Sequence, residues 1–456
     1  MKIAVIGGGA WGTALADLLA RKGEQVTLWA REPEVVDGVN RRHVNEMFLP
    51  GAALAPALRA DSDLAAVVRG VETVVSSAPS HAVRSVMTEA ARALGQSRPL
   101  VVSASKGLDP DRLQRPSRVL GEVLSNGVPI SVLSGPSFAW EVFQGQPTAV
   151  VAAAKDHAVA QRTQRVFATS YFRVYSHTDV VGVELAGALK NVIALAAGIL
   201  EGLGLGFNTR AALITRGLAE ITRLGVTLGA QPMTFAGLAG MGDLILTATG
   251  ALSRNRTLGV ALGQGQTLEQ ALAGKAAVVE GVNTTRTAVA LGERHGVELP
   301  IAREVANVLF NNKPPRQAVS DLMERELKAE GDGGGPMNSG SPAQPVQEFF
   351  SIGEVCQLTD LKPHVLRYWE SQFRFLNPAK NRSGNRVYQR REIELIMLVK
   401  HLLYTEKYTI EGARQKIEQY RRSGELKPEA RRALATETVR ELRAELKSVL
   451  GILEGS

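Results

Sequence analysis

Cysteine is almost missing from this chain. Cys356 is the single one in 456 residues, so no disulfide can close within the chain and a cysteine-built metal site has no basis. The seven histidines show no ligand spacing with cysteine or acidic partners, and no metal site is expected. No run of about 18 apolar residues free of charge occurs, so no transmembrane helix is expected. The opening MKIAVIGGGAWG has one basic residue and a short apolar run that ends in glycines, which reads as a strand entering a turn and not as a signal peptide. No internal repeat is found. These absences together point to a reducing cytoplasm and to no membrane insertion.

What is present is ordinary in bulk. The hydrophobic share of 45% and charged share of 21% suit a globular chain long enough for two or three domains. The net charge of +8 is unevenly spread: +4 over residues 1–330, and +5 over the much shorter stretch 346–456. A basic excess concentrated in a small domain makes a polyanion partner worth testing. Between the two parts, GDGGGPMNSGSPAQP (331–345) has the composition of a flexible linker.

Within residues 1–181, KIAVIG, QVTLWA, ETVVSSAP, LVVSASKG and ISVLSGPS read as strands alternating with helices, the pattern of a parallel, doubly wound Rossmann-like sheet. From 182 to 330 the strand signals stop. Apolar-periodic segments such as AALITRGLAEITRLGVTLG and NTTRTAVALGERHG predict an all-α second domain for substrate.

Gly7-x-Gly9-x-x-Gly12 follows the first strand and opens a helix. In that context Gly7 permits the turn, Gly9 admits a pyrophosphate and Gly12 lets helix pack on strand, which predicts a dinucleotide. The second strand ends in LWARE. Glu32 stands where an acid takes a ribose 2′-OH, as NAD requires, while Arg31 beside it suits the 2′-phosphate of NADP. The pair leaves both open, with NADPH slightly favoured. Lys190 interrupts GVELAGALKNVIALAAGIL, where an ammonium is costly unless paired or shifted in pKa. Helical numbering puts Lys190 with Glu184, Gly187, Asn191, Ala194 and Gly198 on a face of small residues, opposite the aliphatic half, which reads as room for a ligand. A lysine reaching to solvent is the plainer alternative. His81 in APSH is read as facing the cofactor or as structural.

Seven blocks, GGGAWGTALA, SASKGL, LSGPSFAWEV, GALKNVIALAAGI, NTRAALITRGLAE, GLAGMGDLILTATGALSRNRTLG and VVEGVNTTR, resemble the bacterial NAD(P)-dependent glycerol-3-phosphate dehydrogenases in order and context over residues 1–328. The resemblance implies reversible reduction of dihydroxyacetone phosphate to sn-glycerol 3-phosphate, a precursor for phospholipid synthesis. It implies Lys190 and Asp243 as catalytic residues. Substrate contacts are implied for Lys106, Gly135, Ser137, Lys190, Asp243, Ser253, Arg254 and Asn255. Cofactor contacts are implied for Gly7, Gly9, Ala10, Trp11, Gly12, Arg31, Lys106, Ala139, Arg254, Val278 and Glu280. A homodimer is expected.

Residues 346–425 differ in kind. Ser351 and Glu354 form a capping-box pattern, a turn leads to Pro363 at a first helical position, and RFLNPAKNRSGNRVYQRREI has the form of a basic hairpin wing. LRYWE and NRVYQRREI resemble the DNA-binding domain of MerR-type regulators, although Lys362 stands where a small capping residue is more usual. That resemblance implies duplex-DNA contacts from Arg367, Tyr368, Arg382, Arg386 and Tyr388. In 426–456, Val439, Leu442, Leu446, Val449 and Leu453 recur at spacings of three and four, which predicts a C-terminal helix suited either to dimerisation or to packing back on its own domain. An enzyme with an appended DNA-binding module is the leading reading, and a regulator that senses metabolites through a dehydrogenase-like domain is the alternative.

Overall fold

The computed structural model describes residues 1–274, 278–325 and 349–423, except 360, 374, 377 and 381–385. The chain divides into two compact units between Met337 and Asn338. The linker stretch, Arg382 and the expected C-terminal helix lie outside the described residues.

The first unit is built on an eight-stranded sheet: β1 (Lys2–Ile6), β2 (Gln25–Trp29), β3 (Arg59–Asp61), β4 (Thr73–Ser76), β5 (Leu100–Ser103), β6 (Ile130–Ser134), β7 (Thr148–Ala153) and β8 (Phe172–His177), in the order β3-β2-β1-β4-β5-β6-β7-β8. The period-2 alternation of β1 feeds two cores. Ile3 and Val5 pack with Leu15, Leu18 and Leu19 of the first helix (Ala10–Arg21), while Ala4 and Ile6 pack with Val83, Met87 and Leu120 on the other face. Strand order reverses between β1 and β4, and that switch point leaves a crevice at the carboxyl ends of both strands.

The sheet departs from the expected all-parallel form. β7 runs antiparallel to β6, with Val132 opposite Ala153, and β8 then pairs parallel to β7. The sequence pattern did not mark β3, β7 or β8. β3 has three residues, β7 is rich in alanine, and β8 is an edge strand whose alternate residues Arg173 and Tyr175 are exposed.

A helix of 23 residues, Val180–Gly202, is the axis of the helical part. Asp179 caps it, accepting from Gly182 N at 2.8 Å, and also holds Thr234 Oγ1 at 2.6 Å. By length and composition this helix is apolar enough to cross a membrane, but its most apolar window is 94% buried inside the protein. Around it pack the helices Phe207–Thr227, Asp243–Thr249, Arg254–Gly263 and Glu280–His295.

The glycines of the central helix are occupied, contrary to the expectation of room for a ligand. A Cβ on Gly198 would lie 2.1 Å from the Arg256 carbonyl oxygen, and one on Gly202 2.3 Å from that of Val260. Reciprocally, Cβ atoms on Gly259 and Gly263 would lie 2.2 and 2.4 Å from the carbonyl oxygens of Leu195 and Ile199. Two G-x-x-x-G faces therefore bring Val180–Gly202 and Arg254–Gly263 into backbone contact. Gly187 meets Ser134 Oγ of β6. The small-residue face is spent on close packing, and Lys190 is buried at 5% exposure.

The second unit contains the helices Ile352–Thr359 and Pro363–Gln372, an antiparallel sheet ordered β10 (Ala379–Lys380), β11 (Arg386–Gln389), β9 (Phe349–Ser351), and the helices Arg390–Lys400 and Ile410–Ser423. Its core joins Leu366, Trp369, Phe373, Tyr388, Ile396 and Leu402. Pro363 takes the first helical turn, as predicted, and Lys362 precedes it with no side-chain cap. The Glu354 side chain of the predicted capping box lies outside the described residues.

Glycine substitutions test the packing. Gly198→Ala should lower stability by about 1–3 kcal/mol or more, because backbone atoms cannot yield as a side chain does. Gly121→Ala, on a helix where an added Cβ meets nothing within 4 Å, should instead raise it by about 0.4–1 kcal/mol. Thermal unfolding of the two variants should move in opposite directions.

Candidate active site

The crevice at the switch point begins with the glycine turn. Gly7 takes φ +122° and lies against Ser77, just past β4, and a Cβ on Gly12 would collide with the Gly7 carbonyl oxygen at 2.0 Å. Gly9 is different: an added Cβ would meet nothing within 4 Å. It precedes the first helix with no side-chain cap, so the helix N-terminus presents uncapped N–H groups toward open space. Trp11 Nε1 is buried with no hydrogen-bond partner among the described residues. This cradle fits an anionic dinucleotide. At the end of β2, Arg31 and Glu32 pair with each other at 3.2 Å, the arginine 84% exposed and the glutamate 26%.

A buried charge cluster adjoins the turn. Asp243 heads the helix Asp243–Thr249 and is 1% exposed. Its Oδ1 accepts from Lys190 Nζ at 2.5 Å, and its Oδ2 from Lys106 Nζ at 2.9 Å. Lys190 Nζ also donates to Thr247 Oγ1 at 2.7 Å, one turn along from Asp243. Lys106 follows β5 and donates to the Gly135 carbonyl at 2.8 Å and to Ser137 Oγ at 3.3 Å, both just past β6. Its Nζ stands 6.0 Å from the Trp11 ring centroid, so the cluster and the glycine turn share one region. Two ammonium groups share one carboxylate, which leaves a local excess of positive charge.

Burial pulls the Lys190 ammonium down from its ordinary value to about 8; Asp243 opposes that shift and Lys106 adds to it. Such a group keeps its proton near neutrality but can release it, which suits acid–base work.

The SRNR turn forms the next wall. Ser253 caps the helix Arg254–Gly263, its hydroxyl oxygen accepting from Arg256 N at 3.2 Å. Asn255 is buried and fully engaged: its amide donates to Asn191 Oδ1 at 2.9 Å, and its carbonyl oxygen accepts from Gly281 N at 2.9 Å. Arg254 makes no side-chain hydrogen bond or ion pair among the described residues. Burial by the surrounding groups lowers its pKa, with the Glu280 charge opposing. Arg254 as a residue is nonetheless exposed to solvent. Glu280 accepts from Ser80 N at 3.0 Å and Ser80 Oγ at 2.6 Å, tying the helical part to the loop after β4.

The fold thus brings Lys106, Gly135, Ser137, Lys190 and Asp243 into one bonded cluster, with Trp11 beside it, and Arg254 near Glu280. The hydroxyl oxygen of Ser253 and the amide of Asn255 hold the turn itself. Ala139 opens the short helix Ala139–Phe143 and Val278 precedes Glu280. His81 is exposed in the loop after β4. Thr247 was not singled out from sequence, and Asn191 was named there only as sharing a face with Lys190. Spacing offered a signal for the first, because Asp243 and Thr247 are four apart and share a helix face.

In the second unit Arg367 is exposed and Tyr368 is 52% exposed on the helix Pro363–Gln372. Arg386 pairs with Glu370 at 2.8 Å and is 41% exposed. Tyr388 requires a correction as an expected DNA contact. It is 1% exposed, and its hydroxyl donates to Glu370 within the core, because β11 turns this position inward. Burial and the Glu370 charge push its pKa up.

The lysine cluster predicts a titration. Followed by NMR of isotopically labelled lysine, Lys190 should titrate near 8. In Asp243→Asn the midpoint should move lower, since the carboxylate that favours the ammonium is gone.

Comparison with known proteins agrees with this architecture. Residues 2–160 match the family model for the NAD-dependent glycerol-3-phosphate dehydrogenase N-terminus, and residues 179–320 that for its C-terminus. Residues 350–420 match the MerR HTH family regulatory protein model. The glycerol-3-phosphate dehydrogenase (NAD(P)+) of Geobacter sp. (strain M21) is 56% identical over 332 residues, 72% of this chain and 99% of the relative. That of Geobacter sulfurreducens is 57% identical over 333 residues, 72% of this chain and 98% of the relative. The crystal structure of glycerol-3-phosphate dehydrogenase from Coxiella burnetii superposes with a TM-score of 0.68 at 40% identity, covering 71% of this chain and 98% of that one. Through its first unit, this chain belongs to the NAD(P)-dependent glycerol-3-phosphate dehydrogenase family of oxidoreductases.

Proposed function

We propose that the first unit reduces dihydroxyacetone phosphate to sn-glycerol 3-phosphate, and catalyses the reverse, with Lys190 as the proton-transferring group. The observation that carries this reading is the Asp243 carboxylate gripping both Lys190 and Lys106 beside the glycine turn. The nicotinamide cofactor supplies the hydride when bound. Lys190 donates a proton to the carbonyl oxygen as negative charge develops there, and takes it back in the oxidation. Asp243 and Thr247 fix the direction of its Nζ. Lys106 adds a second positive charge at the same place, and Arg254, without a partner among the described residues, answers the substrate phosphate. Gly9 and the uncapped N-terminus of the first helix hold the pyrophosphate, while Gly7 and Gly12 shape the turn. Glu32 offers an acceptor to a ribose hydroxyl and Arg31 a partner to a 2′-phosphate. Both cofactors are therefore used, with NADPH slightly favoured.

For the second unit the reading is duplex-DNA binding by a winged helix-turn-helix. The family match over residues 350–420, the exposed Arg367 and Tyr368 on one helix, and Arg386 on the strand support it.

Oxidation of NADPH and NADH with dihydroxyacetone phosphate tests the enzyme. Lys190→Ala should lower kcat by about 10²–10⁴-fold; unchanged turnover removes the lysine from the chemistry. For the second unit, affinity for duplex DNA should fall steeply with salt and weaken in Arg367→Ala. Salt-independent binding argues against phosphate contacts.

A further inference from the structure

Arg254 has no side-chain partner among the described residues, yet the turn that carries it is held by neighbours, and one of them stands outside the bonded lysine cluster. Glu201, at the end of the central helix, grips Arg256 with both oxygens: Oε2 accepts from Nε at 2.9 Å and Oε1 from Nη2 at 2.5 Å. It also accepts from Arg210 Nη1 of the helix Phe207–Thr227 at 3.3 Å. The Arg210 guanidinium lies 4.5 Å from the Phe207 ring centroid. One carboxylate therefore joins the central helix, the start of the next helix and the first turn of Arg254–Gly263.

Arg254 and Arg256 are the first and third residues of that turn, so they project about 200° apart around the helix. Locking Arg256 against Glu201 turns Arg254 away from the central helix, toward the side where the Glu280 charge acts on it. The turn cannot shift along the central helix, because the Arg256 carbonyl is seated against Gly198. Asn255, between the two arginines, is pinned to Asn191 and Gly281.

We propose that Glu201 and Arg256 are positioning residues for recognition of the substrate phosphate, acting by fixing the direction of Arg254. This rests on the reading of Arg254 as the phosphate partner in the proposed reaction. A bidentate arginine–carboxylate pair fixes orientation as well as distance, which a single-point lysine contact does not. Backbone contact between the helices fixes where the turn sits but not the direction of its side chains. The fork closes that freedom at the end where the phosphate is met.

The test compares the kcat/KM for dihydroxyacetone phosphate with that for unphosphorylated dihydroxyacetone in the full-length protein. Wild type, Glu201→Gln, Arg256→Lys, Arg254→Ala and the double variant Glu201→Gln/Arg254→Ala are measured, with thermal midpoints and NADPH-fluorescence binding alongside. Glu201→Gln should reduce the preference for the phosphorylated ketone about tenfold, mainly through KM. Arg256→Lys should do the same, and reads the interaction independently if the first variant fails to fold. The double variant should lose no more preference than Arg254→Ala, since both changes act through one contact. Equal loss on both ketones, or additive loss in the double variant, overturns the positioning role. A wild type that turns over but does not prefer the phosphorylated ketone overturns the phosphate reading, and this inference with it.

Discussion

The site depends on one buried carboxylate. Asp243 divides its two oxygens between Lys190 and Lys106, one from the helical part and one from the loop after β5. Burying an ammonium costs several kcal/mol unless it is paired and hydrogen-bonded, and Lys190, 5% exposed, meets that condition through Asp243 and Thr247. The pairing is incomplete by design of charge: two cations share one anion. Burial, with a smaller contribution from Lys106, keeps Lys190 easier to deprotonate than a solvated lysine, and the charge excess makes the region attractive to an anionic ligand. The same bond also ties the nucleotide-binding sheet to the helices, so the chemistry and the joint between the two parts are one interaction.

Such a bond needs rigid surroundings. Facing glycines at 198, 202, 259 and 263 let two helices touch through their backbones, and interiors packed that closely do not deform continuously. The distance from Lys190 to the SRNR turn is therefore set by main chain, while side-chain contacts set the direction of the groups on it. Asn191 and Asn255 close the gap between helices, and Glu280 closes the gap to the sheet at Ser80.

Much of this was legible in the sequence where backbone geometry dictates the residue. Gly7 at φ +122° and Gly12 against the Gly7 carbonyl leave no other choice, so the turn announces itself. The lysine in an apolar helix was equally visible, and its surroundings were misread for a physical reason. Glycine spacing alone does not distinguish space for a ligand from space filled by another helix, and here the second G-x-x-x-G lies about sixty residues away in sequence. β7 and β8 were missed because alanine and edge alternation carry little strand signal. Tyr388 was read outward from a motif, while the pleat of β11 turns it inward to Glu370. The arginine fork at Glu201 follows only from the fold, since its two partners come from two other helices.

The central claim is that a buried lysine, held by Asp243, delivers the proton. It is tested most directly by the pH dependence of kcat for reduction of dihydroxyacetone phosphate at saturating cofactor. Lys190 must be protonated to act as the acid, so the rate should be level at low pH and fall as pH rises through about 8. Oxidation of glycerol 3-phosphate should rise over the same range. A reduction rate that stays flat from pH 7 to well above 9, with no fall that Lys190 can explain, contradicts the account.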